Sequence, residues 1–86
     1  MNIVFMGTPE FALPTLKALH HSSHSLLAVI TQPDKPKGRG QKLLVSPIKQ
    51  YALDFNLPIL QPKTVNDPEF IGSLQKNQPD IIIVIA

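Results

Sequence analysis

Short apolar runs alternate with stretches of helical periodicity along this chain, which is the pattern of a βα protein. Residues 2–6 (NIVFM) form an apolar run that stops at Gly7, as a strand buried on both faces does. Thr8-Pro9-Glu10 then reads as a helix entry, with Thr8 as N-cap and Pro9 at the first helical position, where its missing N–H costs nothing. Pro14 breaks the hydrogen-bond ladder of any helix running through it. The pattern therefore predicts a short turn over residues 9–12 and a main helix from 14 to about 21, with Leu13, Leu16 and Leu19 facing the sheet. Residues 26–30 make a second strand, closed by Thr31-Gln32-Pro33.

The second helix has the clearest boundaries. Ser46 precedes Pro47, Ile48, Tyr51, Ala52 and Phe55 follow at i, i+3, i+4 and i+7, and Asn56 is the stop. Residues 57–60 read as a brief third strand whose Pro58 has no N–H to donate and so belongs at a sheet edge. Asp67 caps a third helix over residues 68–77 with Phe70, Ile71 and Leu74 as its buried stripe, and Gln78-Pro79 ends it. Residues 80–86 (DIIIVIA) are the most apolar segment and read as a central parallel strand. Four strands joined by three right-handed helical crossovers give an α/β fold, a partial doubly wound, Rossmann-like parallel sheet of order 3-2-1-4 with helices on both faces. That order leaves the fourth strand with no outer neighbour, an open row of backbone groups flanked by isoleucines and valines. Residues 1–86 are thus expected to be an incomplete portion of one domain, prone to edge pairing when alone. The ligand crevice of such sheets lies beyond the C-terminal strand ends, here between Gly7-Thr8 and whatever follows Ala86.

Length and composition narrow the function classes. Eighty-six residues suffice for one small domain and not for two, and a domain of this size is marginal unless its packing faces are covered. The absence of cysteine excludes a disulfide framework and thiolate metal sites and suits a reducing cytosol. The N-terminus lacks a cationic leader, and no segment approaches the roughly 20 apolar residues of a membrane span. A soluble cytoplasmic protein is expected.

Charge changes the picture more. Five of the eight Lys and Arg residues are Lys35, Lys37, Arg39, Lys42 and Lys49, so residues 34–49 carry +4 once Asp34 is counted and the remainder of the chain −2. One cationic loop on a neutral-to-acidic body fits a polyanion, with nucleic acid the leading candidate. Residues 31–43 (TQPDKPKGRGQKL) read as an irregular out-and-back loop of about 13 residues that can project roughly 20 Å. Pro33 and Pro36 stiffen its rising limb, and Gly38 and Gly40 let the backbone around Arg39 pass close to a phosphate. The Arg39 guanidinium suits phosphate or guanine edges, whereas Lys35, Lys37 and Lys42 act as point charges.

Other constellations carry less. Gly38-Arg39-Gly40 is no dinucleotide fingerprint, because a third glycine is missing and no strand ends directly before it. His21 and His24 lie in a Ser-rich helix end (HHSSH) without the cysteines or clustered carboxylates that would complete a metal site, so no metal is expected. Glu10 and Asp34 follow successive strands and approach the crevice mouth, with capping or loop charge as their simpler roles. Ser23, Ser25 and Ser73 have no nucleophile-elbow context.

The segments FMGTPEFALP, VITQPDKPKGRGQKL, SPIKQYA, LPILQP and PDIIIVIA, in this order and spacing, closely resemble the N-terminal quarter of the methionyl-tRNA formyltransferase family, over all 86 residues. Related formyltransferases share openings like GTPEFA, but the basic loop followed by SPIK is specific. The resemblance implies transfer of a formyl group from 10-formyltetrahydrofolate to the amine of methionine on initiator tRNA. It implies that the loop between the second strand and second helix contacts the acceptor stem, with Arg39 matching the arginine of the family's GRG and Lys35, Lys37 and Lys42 beside it. Formyl transfer to an amine needs a group to manage the amine proton and donors for the oxyanion. The family supplies these with an Asn-x-His element and a later Asp. Neither element occurs in residues 1–86, so no catalytic or folate-binding residue is assigned and this stretch alone is expected to be inactive and to bind the cosubstrate poorly. Two alternatives stay open: a formyltransferase acting on a nucleotide sugar or purine precursor, and a non-catalytic RNA-binding remnant. No membrane or protein partner is implied.

Overall fold

Residues 2–6 do form the heart of a parallel sheet. The computed structural model describes residues 1–37, 42–64 and 66–85, with the backbone only for residues 35–37 and 42–44. Strand β1 is Asn2–Gly7, β2 is Ser25–Ile30, β3 is Lys35–Lys37, β4 is Lys42–Leu44, β5 is Ile59–Leu60 and β6 is Ile81–Ile85. The helices are α1 (Leu13–His20), α2 (Pro47–Asp54) and α3 (Pro68–Asn77). The main sheet has the order β5-β2-β1-β6, with all three pairings parallel. In terms of the four expected strands this is 3-2-1-4, with the Pro58 segment at an edge as its missing donor requires. Parallel register puts Phe5 beside Val29 and Ile83.

Alternation along the strands sends neighbouring residues to opposite helical layers. Phe5 and Val29 pack with Ala12, Leu16, Ile48, Tyr51 and Ala52 on the side covered by α1 and α2. Val4 and Ile30 pack with Phe70 of α3 on the other side. Phe5, Leu16 and Ile48 are the largest fully enclosed side chains, each contributing about 1.5–3 kcal/mol through apolar burial. Leu13 and Leu19 are partly buried against the same cluster, as the leucine spacing predicts.

Local chemistry explains the helix boundaries. A 3-10 turn over Glu10–Ala12 precedes α1, so Pro14 falls in the first turn, where no hydrogen bond is lost. The expected Thr8 cap does not form: Pro9 occupies that position without a side-chain cap, because the Thr8 hydroxyl is engaged at the sheet rim. Ser46 Oγ accepts the Lys49 N–H at 3.1 Å to start α2, and Asp67 Oδ1 accepts the Glu69 N–H at 2.9 Å to start α3. Asn56 and Gln78 take positive φ of 55° and 49° and end the two helices.

Several expectations change. Phe55 is 49% exposed, because it falls just beyond the last turn of α2 and lies across His20 and Tyr51 instead of entering the core. Ile71 is 39% exposed, leaving Phe70 and Leu74 to pack α3 on the sheet. The segment expected to be an irregular loop contains an antiparallel ladder, β3 with β4, separate from the main sheet. Strand β6 pairs with β1 and, among the described residues, with no other strand; its Ile81, Ile82 and Val84 are 41, 40 and 60% exposed.

Leu16→Ala should cost about 2–5 kcal/mol in urea denaturation, since it empties the centre of the α1–sheet contact. Gln78→Gly should raise stability by about 0.5–1 kcal/mol in the same assay, as glycine adopts the left-handed C-cap without steric cost.

Candidate functional site

Parallel pairing sends the C-terminal ends of β1, β2, β5 and β6 to one rim. The chain leaves β1 toward β2 on one side, while β6 lies on the other, so the winding reverses beside β1. Crevices open at such points. Here a cleft of about 820 Å³ is walled by residues 6–9, 30–34, 62–64 and 84–85. Its floor at Gly7 is tight: a β-carbon there would stand 3.2 Å from the Phe5 ring and 3.3 Å from both the Ala12 methyl and the Ile85 carbonyl.

Thr8 and Thr31 cross the floor. Their hydroxyls lie 3.0 Å apart, and Thr8 Oγ1 also accepts the Gln32 N–H at 2.9 Å. Thr31 is the buried polar residue of this rim, and its N–H donates to the Leu60 carbonyl at 3.0 Å. Among the described residues no buried side-chain polar atom lacks a partner.

Asp34 lies at the cleft mouth and is the point where three segments meet. Lys49 Nζ, from the first turn of α2, donates to its Oδ2 at 2.5 Å. Gln61 Nε2, from the segment after β5, donates to its Oδ1 at 3.1 Å and to the Gln32 carbonyl at 3.1 Å. The Lys49 and Asp34 side chains are only 17 and 19% exposed. The hydrogen bond from Lys49, then that from Gln61, hold the Asp34 carboxyl below its ordinary range; desolvation opposes them, and the Lys49 charge makes the smallest contribution, in the same lowering direction. A depressed carboxylate stabilises the fold above its unfolded pKa, and that contribution is lost as pH falls through the lower folded value.

Residue by residue, the basic cluster divides. Lys49, grouped by sequence with the cationic loop, is committed to Asp34. Lys35 and Lys37 lie on β3 and Lys42 on β4. The register sets Lys37 directly opposite Lys42 and Lys35 opposite Leu44, so backbone positions 35, 37 and 42 share one face of the ladder. Arg39 lies outside the described residues. Of the two carboxylates proposed near the crevice, Asp34 lines it, whereas Glu10 is exposed in the 3-10 turn beyond Pro9. His24 Nδ1 meets the N-terminal ammonium at 2.8 Å, and His20 Nδ1 meets the Tyr51 hydroxyl at 2.7 Å. Among the described residues no three His, Cys, Asp or Glu side chains converge on a metal position, and no helix is long and apolar enough to cross a membrane. Sequence reasoning missed Gln61 and the Thr8–Thr31 pair. The available signal was positional, since each follows directly on the C-terminal end of a strand.

Comparison with known proteins accords with this geometry. The formyl transferase family model matches residues 1–86. Methionyl-tRNA formyltransferase of Pseudomonas syringae pv. syringae is 54% identical over 86 residues, covering 100% of this chain and 27% of the relative. The protein of the same name from Moorella thermoacetica is 52% identical, and that from Ruminiclostridium cellulolyticum 48%, each over 100% of this chain and 28% of the relative. The chain therefore spans a little over a quarter of the length of these relatives. With a doubly wound half-sheet, a cleft at its reversal point and a family match running from Met1 to Ala86, the chain belongs to the formyl transferase family.

Proposed function

We propose that residues 1–86 are the N-terminal portion of a larger catalytic domain that transfers formyl from 10-formyltetrahydrofolate to the amino group of methionyl-initiator tRNA in the cytoplasm. The ladder β3–β4 supplies the tRNA contact. One observation carries this reading: lysine positions 35, 37 and 42 share a face of a two-stranded ladder that joins the sheet beside the cleft. Like charges set directly opposite destabilise a ladder in isolation. A phosphate backbone removes that repulsion and gains affinity by releasing counterions. A-form RNA hides its major groove from side chains except near ends and distortions, so a narrow basic hairpin suits the end of the acceptor stem. Arg39, between Gly38 and Gly40, is the contact assigned to phosphate or guanine edges, with Lys35, Lys37 and Lys42 as neighbouring point charges.

Thr8, Thr31, Gln32 and Gln61 are bonded to one another or to Asp34. Thr8, Thr31 and Gln32 form part of the cleft wall and Gln61 lies just behind it, and none of the four is assigned to the cosubstrate or to catalysis. Those tasks fall to the remainder of the complete protein.

In the complete protein, Arg39→Ala should weaken methionyl-tRNA binding by roughly 1–3 kcal/mol while leaving the KM for the folate unchanged. Steady-state formylation assays with each substrate varied in turn measure both, and equal tRNA use by mutant and parent would remove the assignment. Four phosphate contacts give a slope of about −3 for the logarithm of affinity against the logarithm of salt concentration. Formylation of a nucleotide sugar in place of methionyl-tRNA would transfer the chain to another branch of the family.

A further inference from the structure

A ladder of two three-residue strands, standing apart from the main sheet, does not hold its own position. Something at its root must do so. Asp34 immediately precedes β3, and Lys49 lies in the first turn of the helix that follows β4. Their contact spans 15 positions of sequence and closes the base of the hairpin. Gln61 adds a second attachment, clamping Asp34 and the Gln32 carbonyl to the segment leaving β5. Two legs of the hairpin and the sheet edge are thus joined at one carboxylate.

Resting on the RNA-binding reading above, we propose that Asp34, Lys49 and Gln61 form a latch that sets the direction in which the basic hairpin leaves the sheet, and so act as positioning residues for the RNA substrate. Long-range attraction alone argues against a carboxylate here, because an anion at the root of a cationic finger repels a phosphate backbone. The low exposure of both charged side chains limits screening, so the latch persists at salt concentrations that weaken surface ion pairs. The donors from Lys49 and Gln61 favour the ionised form of Asp34 and lower its pKa from the ordinary aspartate value.

The sign of one substitution separates positioning from plain electrostatics. Asp34→Asn and Lys49→Met are introduced singly and together into the complete protein, and methionyl-tRNA binding, the folate KM and amide hydrogen exchange are measured. The latch requires each single variant to weaken RNA binding by about tenfold, with the folate KM unchanged. It also requires the double variant to be no worse than either single, since both remove the same contact. Amides of residues 35, 37 and 42–44 should exchange faster in all three, while those of β1 and α1 stay protected, which also establishes that the variants fold. Lys49→Arg, which keeps a donor for Asp34, should restore binding. If Asp34→Asn instead tightens RNA binding while Lys49→Met loosens it, the two act as independent charges facing RNA and the latch is overturned. Replacing Lys35, Lys37, Arg39 and Lys42 together by alanine tests the underlying reading separately. Should RNA binding ignore that change, the hairpin is no RNA element, and the latch as a positioning device for RNA falls with it. Exchange at the hairpin amides then still decides whether the contact fixes the hairpin, and protection unchanged by Asp34→Asn means that it does not.

Discussion

Because β1 is bonded in parallel to β2 on one flank and to β6 on the other, every crossover must carry the chain back to the same starting edge. Each strand therefore finishes at the opposite rim, and whatever follows a strand is delivered there. Thr8 after β1, Thr31 to Asp34 after β2 and Gln61 to Thr64 after β5 are distant in sequence but become neighbours for this reason alone. The helices serve that constraint. Helices α1 and α2 seal the Phe5 face and α3 the Val4 face, so the central strand is dry on both sides and its parallel pairing has no competitor in water.

Most of the scaffold was legible because its signals are local. Ser46-Pro47 and Asp67-Pro68 each put a capping side chain before a residue that favours the first helical turn, and both helices begin there. The strand order followed from the doubly wound arrangement of right-handed crossovers, and composition agreed with it, placing Pro58 at an edge and the NIVFM and IIIVI runs side by side. Errors arose where a residue had two uses. Thr8 has the chemistry of a cap, yet a hydroxyl on the Thr31 side offered it a bond across 23 residues of sequence. Phe55 keeps helical spacing with Ile48 and Tyr51, but α2 has unwound by that point, and the ring settles on His20 near 4.9 Å.

The site was legible in part. Charge clustering pointed to residues 34–49, and the structure adds how their ends are attached: Asp34 lines the cleft and Lys49 is bonded to it. Charge counting treats all cations alike, however, and cannot tell one that faces outward from one that is already neutralised. Lys49 belongs to the second kind, and only the fold brings Asp34 and Gln61 within reach of each other. The hairpin was equally hidden, because Pro36 and the flanking glycines weaken any strand signal, whereas the pairing of Lys35 with Leu44 is a property of two segments together.

Gly7 bears on how such a rim can diversify. The spacing of the Phe5 ring, the Ala12 methyl and the Ile85 carbonyl around it means that one added carbon requires these neighbours to give by a few tenths of an ångström. The place nearest the reversal of the winding is thus tightly packed, and a larger residue there has to displace parts of three elements. New ligand contacts are more easily built in the surrounding loops, where a changed side chain does not have to move three packed elements at once.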